Sequence, residues 1–584
     1  MIVNQRKTIF LLMFVLVLAL NYSVFAASES EIDCLECDSS MIDSLGCTSF
    51  LVGKDASLDG STMTVHPCDC GICDFTFRSV PAKDYEPGDT RKIYAISQYE
   101  TWDPEVGLKW DVVLEEKFTG VEIPQPPHTY SYIHGMFGYI NEHQLAMGES
   151  TVGCHREMQS PNAVMNLTEL TRIAMERCKT AREAIQLMGE LGEKYGYGLD
   201  GGEQLSIADP YEAWHFEIMP VGPLWTPESG KAGAIWCAQR IPDDHISVTP
   251  NESRIGEIDL ENTEYFMASS NVISYAVDNG YYNPESGEPF SWKKAYSPWG
   301  KSYINPRTWG AYHFLAPSLN LDPMTPNDEL PFSIKPDKKV SVKDIMEVSR
   351  YHYEGTIFDM TEGLAAGPFG NPNRWRPLNW EIDGERYSWV RPIGTQQAEY
   401  VTITQSRSWL PDPIGGIVWI GLGTTDTTCF IPFYAGVNEI PYSFQIGDHW
   451  TFDREAARWA FDYADFHTQV KYSYAIKDVK EAQYEYEDGA IAEISKIDME
   501  AYDMYKEDPG KAKEFLTDYC TQNAEKVINA WWVLGDKLLV KYNIGFVYTE
   551  DRQRQQVGYP EWWLKAVIEH DNRQTVEEFY NIEK

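Results

Sequence analysis

From Cys47 onward, short apolar strand segments alternate in blocks with amphipathic helical ones, which confines the chain to a layered α+β architecture. CTSFLVG (47–53) has the texture of a strand, KDASLDG carries turn chemistry with Asp59-Gly60 at the connection, and STMTVH supplies a second strand. Together they predict a β-hairpin. Residues 132–152 read as another strand pair with GYINEHQ as its turn. TELTRIAMERCKTAREAIQLMGELGEKYG (168–196) has apolar positions at helical spacing, so one or two amphipathic helices are expected, ending near the glycines of YGYG. Strands are expected again at AWHFEIM, GAIWCAQRI, AEYVTITQS and GGIVWIGL. From about Trp450 the texture turns helical, which predicts a helical C-terminal extension over 451–584 after a main domain over 47–450.

Composition narrows the function. The 584 residues, 43% of them hydrophobic, can bury a sizeable core. With 49 basic and 88 acidic side chains the formal charge is −39, and phosphate backbones and anionic lipid heads would repel such a chain. Nucleic acid is therefore not an expected partner.

Arg6 and Lys7 precede an apolar run from Ile9 to Leu20, followed by Val24, Phe25 and Ala26. That is the order of a secretory signal peptide over 1–26, so the mature protein is expected to be exported, secreted or periplasmic, with no membrane insertion once the signal is removed. The acidic stretch that follows contains Cys34 and Cys37 and reads as a propeptide over 27–46. Export favours disulfides, so Cys68, Cys70 and Cys73 in CDCGIC read as disulfide partners. Zinc would want four ligands, and no second pair at matching spacing follows. The total of 11 cysteines leaves at least one thiol without an intramolecular partner.

Several catalytic signatures are missing: there is no HExxH and no GxSxG, and VGKDAS lacks the upstream glycine of a phosphate loop. His215 and Glu217 share one side of a strand and read as a polar strand face. What remains is Cys47 itself, which opens a strand after a small residue and an expendable leader. If the Gly46–Cys47 bond is cut, the freed α-amino group has a pKa of about 7.7–8.0 and can act as general base for its own thiol. The residues alone leave a buried structural cysteine as the other reading.

Seven ordered blocks decide between them. CTSFLVGKDASLDGSTMTVHPCD (47–69), GYINEHQLAMGEST (138–151), TAREAIQLMGELGEKYGYG (180–198) and LSIADPYEAWHFEIM (205–219) resemble the cysteine dipeptidase family. So do GAIWCAQRIPDDHISVTPNESRI (233–255), HYEGTIFDMTEGLAAGPFGNPNRWRP (352–377) and SRSWLPDPIGGIVWIGL (406–422). The resemblance covers most of residues 47 to about 470. That family is similar to penicillin V acylase and bile-salt hydrolase. It implies a four-layered αββα sandwich of the N-terminal-nucleophile hydrolase type, dipeptide substrates, no cofactor, no metal and assembly as a homo-oligomer.

The resemblance also implies site residues. Cys47 is the nucleophile, and Asp69 holds its α-amino group. Asn251, in TPNES, lends an amide donor to the oxyanion. Thr151 stands where a second oxyanion donor is found, with its backbone N–H available. One late arginine completes the site, and Arg374 and Arg407 are both candidates. Many relatives have arginine three residues before the aspartate, whereas this sequence has His66, which keeps hydrogen bonding but loses a permanent charge. Cys68, between His66 and Asp69, is poorly placed for a disulfide unless the hairpin opens. Glu142 and Glu149 are candidate partners for a substrate ammonium. Asn166 and Asn251 both sit in glycosylation sequons, and the catalytic reading of Asn251 excludes the second. The alternative functions are an N-acyl amide hydrolase on the same fold and an inactive binding protein.

Overall fold

A computed structural model describes residues 46–71, 73–95, 100–103, 107–110, 118–198, 201–298, 305–571 and 575–576. The expected signal peptide and nearly all of the expected propeptide lie outside the described residues.

The hairpin forms as Ser49–Val52 and Thr62–Cys68, antiparallel with Phe50 opposite Val65. Every residue of both strands is buried, so the pair is covered on both faces. It lies inside a six-stranded sheet ordered Ile246–Thr249, Ser49–Val52, Thr62–Cys68, Tyr400–Ser406, Gly416–Leu422, Ile431–Tyr434. An eight-stranded sheet runs Phe266–Ala268, Ile235–Arg240, Ala213–Met219, Glu203–Ala208, Ala146–Thr151, Gly138–Asn141, Tyr132–His134, Arg78–Val80. Pairings throughout both sheets are antiparallel.

The sheets meet where Thr62–Cys68 lies against Ala146–Thr151 and Glu203–Ala208. Gly148 permits the approach, because a Cβ there would stand 2.6 Å from the Val65 carbonyl oxygen. Helices Leu167–Arg177 and Ala181–Tyr195 contact the eight-stranded sheet. Val342–Ser349, Ala457–Gln469 and Pro509–Tyr542 contact the six-stranded one.

Local chemistry explains where the elements break. The stretch 132–152 holds three strands, not the expected pair, because GYIN is itself a strand and the turn is confined to the residues after it. The Asn141 side-chain oxygen accepts from the His143 and Leu145 N–H groups, and Gln144 takes a left-handed φ of 65°. The helical stretch at 168–196 divides at Thr180, whose hydroxyl and Glu183 form a reciprocal capping box, and it ends at Gly196 with φ 77°.

The tail is mainly helical, with a short strand pair at Phe546–Tyr548 and Arg554–Gln556 that was not expected, and its acids reach back to the sheet. Glu487 is held by Arg350 and by the Phe430 N–H at 3.0 Å. Asp498 pairs with Arg407 at 2.7 Å. Among the described residues no helix is long and apolar enough to cross a membrane.

Asp465 in this tail makes stability depend on pH. Burial, with repulsion from Asp426, pushes its carboxyl up to about 7, and Oδ1 accepts from Thr427 and Gln469. The folded chain therefore retains a proton that the unfolded chain releases above about pH 4, so this residue's contribution falls as pH rises from about 4 to 7. The total is on the order of 4 kcal/mol. Asp465→Asn, which keeps an oxygen acceptor, is expected to remove that loss. Thermal unfolding of both chains at pH 5 and pH 8 checks it: parallel pH dependence would refute the assignment.

Candidate active site

Cys47 enters the six-stranded sheet just before Ser49 and is 7% exposed. Two buried arginines grip the carbonyls of Gly46 and Cys47. Arg391 Nη2 donates to the Gly46 oxygen at 2.9 Å and to Asp69 Oδ2 at 2.8 Å. Arg307 Nη1 donates to the Cys47 oxygen at 2.7 Å and to the Thr48 hydroxyl at 2.9 Å. The Thr395 hydroxyl occupies Asp69 Oδ1 at 3.0 Å. Burial pushes the Asp69 carboxyl up, and the positive charges of Arg391 and Arg307 oppose that.

The sulfur faces the other sheet. Cys47 Sγ donates to Glu149 Oε2 at 3.1 Å, and the Thr151 hydroxyl donates to Glu149 Oε1 at 3.1 Å. A hydrogen bond with Cys68, burial and the Glu149 charge push the Cys47 thiol well up. The partner Cys68 is pulled down, chiefly by its bond to Cys47. His66 is fully enclosed: Nδ1 lies 2.9 Å from the Glu149 carbonyl oxygen, and Nε2 lies 3.2 Å from the Tyr400 hydroxyl. Burial pulls its pKa down, but Cys68 and Glu149 outweigh that and the net shift is upward.

Asn251 packs directly on Gly46. It adopts a left-handed φ of 62°, which asparagine tolerates better than most residues. Its amide nitrogen donates to the Thr151 oxygen at 3.0 Å, and its Oδ1 accepts from Arg307 at 2.9 Å. With Gly46 attached, the Gly46 oxygen is held by Arg391. Position 46 requires glycine for space: an added Cβ would lie 2.2 Å from Asn251 Oδ1. Gly46→Val is expected to displace Asn251 and to slow any cleavage of the 46–47 bond at least about tenfold, since small misplacements of reacting groups are costly. Intact mass during expression measures this, and cleavage at the wild-type rate would contradict it.

The structure thus brings the buried Cys47, Asp69, Asn251 and His66 together with the half-buried Thr151 in one cluster, but neither expected arginine. Arg374 is spent on the backbone oxygens of Met360, Asn371 and Asn373. Arg407 is spent on Asp498, Ile414 and Gly415. The late arginine at the cluster is Arg391. It lies in a stretch between the resembling blocks and has no motif of its own. Strand pairing brings it in: Cys68 is opposite Tyr400, and the Glu399 N–H bonds the Cys68 oxygen at 2.7 Å, so the loop before Tyr400 returns to Asp69. Arg307 likewise carried no sequence signal.

Glu149 is at the sulfur, while Glu142 pairs with Lys513 at 3.0 Å. His215 is fully buried between Gln204 and Ser247, and burial takes it down to about 3. Glu217 accepts from Ser253, Trp292 and the Arg254 N–H. Both are members of internal hydrogen-bond networks. Asn166 is 1% exposed and caps Leu167–Arg177, a poor place for a glycan.

Cys70 and Cys73 form a disulfide, and Cys68 remains a thiol with its sulfur 3.9 Å from that of Cys70. Donor atoms of Cys47, His66 and Glu149 lie within 4.8 Å of one another, as do those of Cys68, Cys70 and Cys73. The first set is joined by its own hydrogen bonds, and the disulfide consumes two sulfurs of the second.

A thiol beside a clamped peptide bond is an arrangement for acyl transfer. The profile of peptidase family C69 matches residues 46–485, beginning one residue before that thiol. The chain is 26% identical to a probable dipeptidase of Latilactobacillus sakei over 81% of this chain and 90% of that protein. It is 27% identical to probable dipeptidase B of Lactococcus lactis over 68% of this chain and 76% of that one. Dipeptidase A of Lactobacillus helveticus is 25% identical over 68% of this chain and 77% of its own length. With most of its length matched, the chain belongs to peptidase family C69 and is a peptide-bond hydrolase.

Proposed function

We propose that this protein is an exported cysteine dipeptidase that works as an N-terminal-nucleophile hydrolase, with Cys47 as nucleophile after loss of Gly46. The observation that carries the reading is the clamp on the Gly46–Cys47 bond: Arg391 links the Gly46 oxygen to Asp69, and the Cys47 sulfur stands free of any disulfide. Two antiparallel sheets in contact, each carrying helices, fit the αββα sandwich of such enzymes. The dipeptidase names of the relatives support the substrate class. Export is supported by the signal-like segment over 1–26 and by the Cys70–Cys73 disulfide.

In turnover the freed α-amino group takes the thiol proton as sulfur attacks the scissile carbonyl, then returns it to the leaving amine. Asp69 holds that amine, with a charged hydrogen bond once the amine has taken the proton. Asn251 and the Thr151 N–H are the proposed oxyanion donors once Gly46 is gone. Water then hydrolyses the thioester.

The test is hydrolysis of unblocked dipeptides by protein beginning at Cys47, expected to survive EDTA and to stop with iodoacetamide. Cleavage of N-acyl amides with no dipeptide hydrolysis would replace this reading by an acylase. Inertness toward both would leave a binding protein.

A further inference from the structure

The precursor lacks the base that turnover uses. While Gly46 is attached, the Cys47 nitrogen is an amide and accepts no proton. Hydrogen bonding to Cys68, burial and the Glu149 charge also hold the thiol protonated. Some other group must take the sulfur's proton before the Gly46 carbonyl can be attacked.

The surroundings narrow the choice, and Cys68, though it bonds Cys47, is itself a thiol that must lose a proton before it can accept one. Asp69 has both oxygens engaged, by Arg391 and by Thr395. His66 directs one ring nitrogen to the Glu149 backbone and the other to the Tyr400 hydroxyl. Glu149 is 3% exposed, is steadied on Oε1 by Thr151, and accepts the Cys47 S–H on Oε2 at 3.1 Å. Arg391 already donates to the oxygen that becomes negative, at 2.9 Å.

Resting on the N-terminal-nucleophile reading, in which such chains cut the bond before the nucleophile themselves, we propose that Glu149 is the general base for cutting Gly46–Cys47. Glu149 takes the proton as Sγ bonds the Gly46 carbonyl carbon, and Arg391 stabilises the oxyanion. The C–N bond then breaks, and the same proton passes to the Cys47 nitrogen, leaving Gly46 as a thioester on Sγ. Water attacks the thioester, one of its protons leaves with the sulfur, the other goes to the Cys47 amine, and Gly46 departs as a carboxylate. One water is consumed, and no oxidant or cofactor enters. The products are a free thiol and the free amine that later turnover uses. Glu149 is thus needed once per molecule for this role, before the amine exists.

The test follows processing of the full chain made in a reconstituted, protease-free translation system, by intact mass. Glu149→Gln retains an acceptor for Thr151 but not the basicity, and is expected to slow appearance of the Cys47 terminus at least about 100-fold, the low end for a lost general base. Glu149→Ala, checked for folding by circular dichroism, is expected to recover at least tenfold in rate with added formate, which a purely structural role would not give. Cys47→Ala should gain nothing from formate. A Glu149→Gln rate within threefold of wild type, or no formate response in folded Glu149→Ala, overturns the base assignment while leaving Cys47 in place. A wild-type chain that stays intact in this system but begins at Cys47 when made in cells overturns self-cleavage. A wild-type chain that begins elsewhere in cells removes the nucleophile reading itself.

Discussion

Cys47→Ala is expected to yield a folded chain that keeps its 46–47 bond and hydrolyses no dipeptide. The structural cost is small, because the sulfur gives up hydrogen bonding to Glu149 and Cys68 and a modest buried volume. Roughly 1–2 kcal/mol is expected for a change of that kind. The chemical cost is much larger. No other atom takes the sulfur's place against either the Gly46 carbonyl or a substrate, so the rate is expected to fall about ten-thousand-fold or more. Dipeptide hydrolysis together with intact mass separates the two costs. Wild-type hydrolysis by Cys47→Ala would remove Cys47 from the mechanism.

Arg391→Met is expected to have the next largest effect, and on two observables. Its guanidinium is 5% exposed and bridges Asp69 to the Gly46 oxygen. Removing it leaves a carboxylate that burial already disfavours, supported among the described residues by the Thr395 hydroxyl bond and the Arg307 charge. Loss of one partner from a buried pair costs about 3–5 kcal/mol. Processing should stall as well, because the Gly46 oxygen loses its donor. The double variant Arg391→Met/Asp69→Asn discharges the stranded acid and is expected to regain much of the stability but none of the processing. Denaturant unfolding and intact mass read the two effects independently. An Arg391→Met chain with wild-type stability and a normal Cys47 terminus would contradict the bridging role.

What the sequence revealed and what it hid follow from the range of the interactions. The Cys47 hairpin, the helices over 167–195 and the strands at 213–219 and 416–422 were legible because turn residues, caps and periodicity act over a few positions. The third strand in 132–152 was hidden because GYIN resembles turn chemistry until Asn141 is seen binding the backbone after it. Asp69 and Asn251 were found through resemblance. Arg391 and Arg307 were not, since each reaches Gly46 or Cys47 across more than 250 residues and neither sits in a motif. Glu149 was read only as a candidate partner for a substrate ammonium. Its meaning depends on the sheet contact at Gly148, which no local pattern encodes.

The role of Cys47 is tested most directly by the intact mass and N-terminal sequence of the protein recovered from cells that make the full chain. The account predicts a chain that begins at Cys47 with a free amine and a free, alkylatable thiol. A chain that begins upstream with the Gly46–Cys47 bond intact, yet hydrolyses dipeptides, would contradict it.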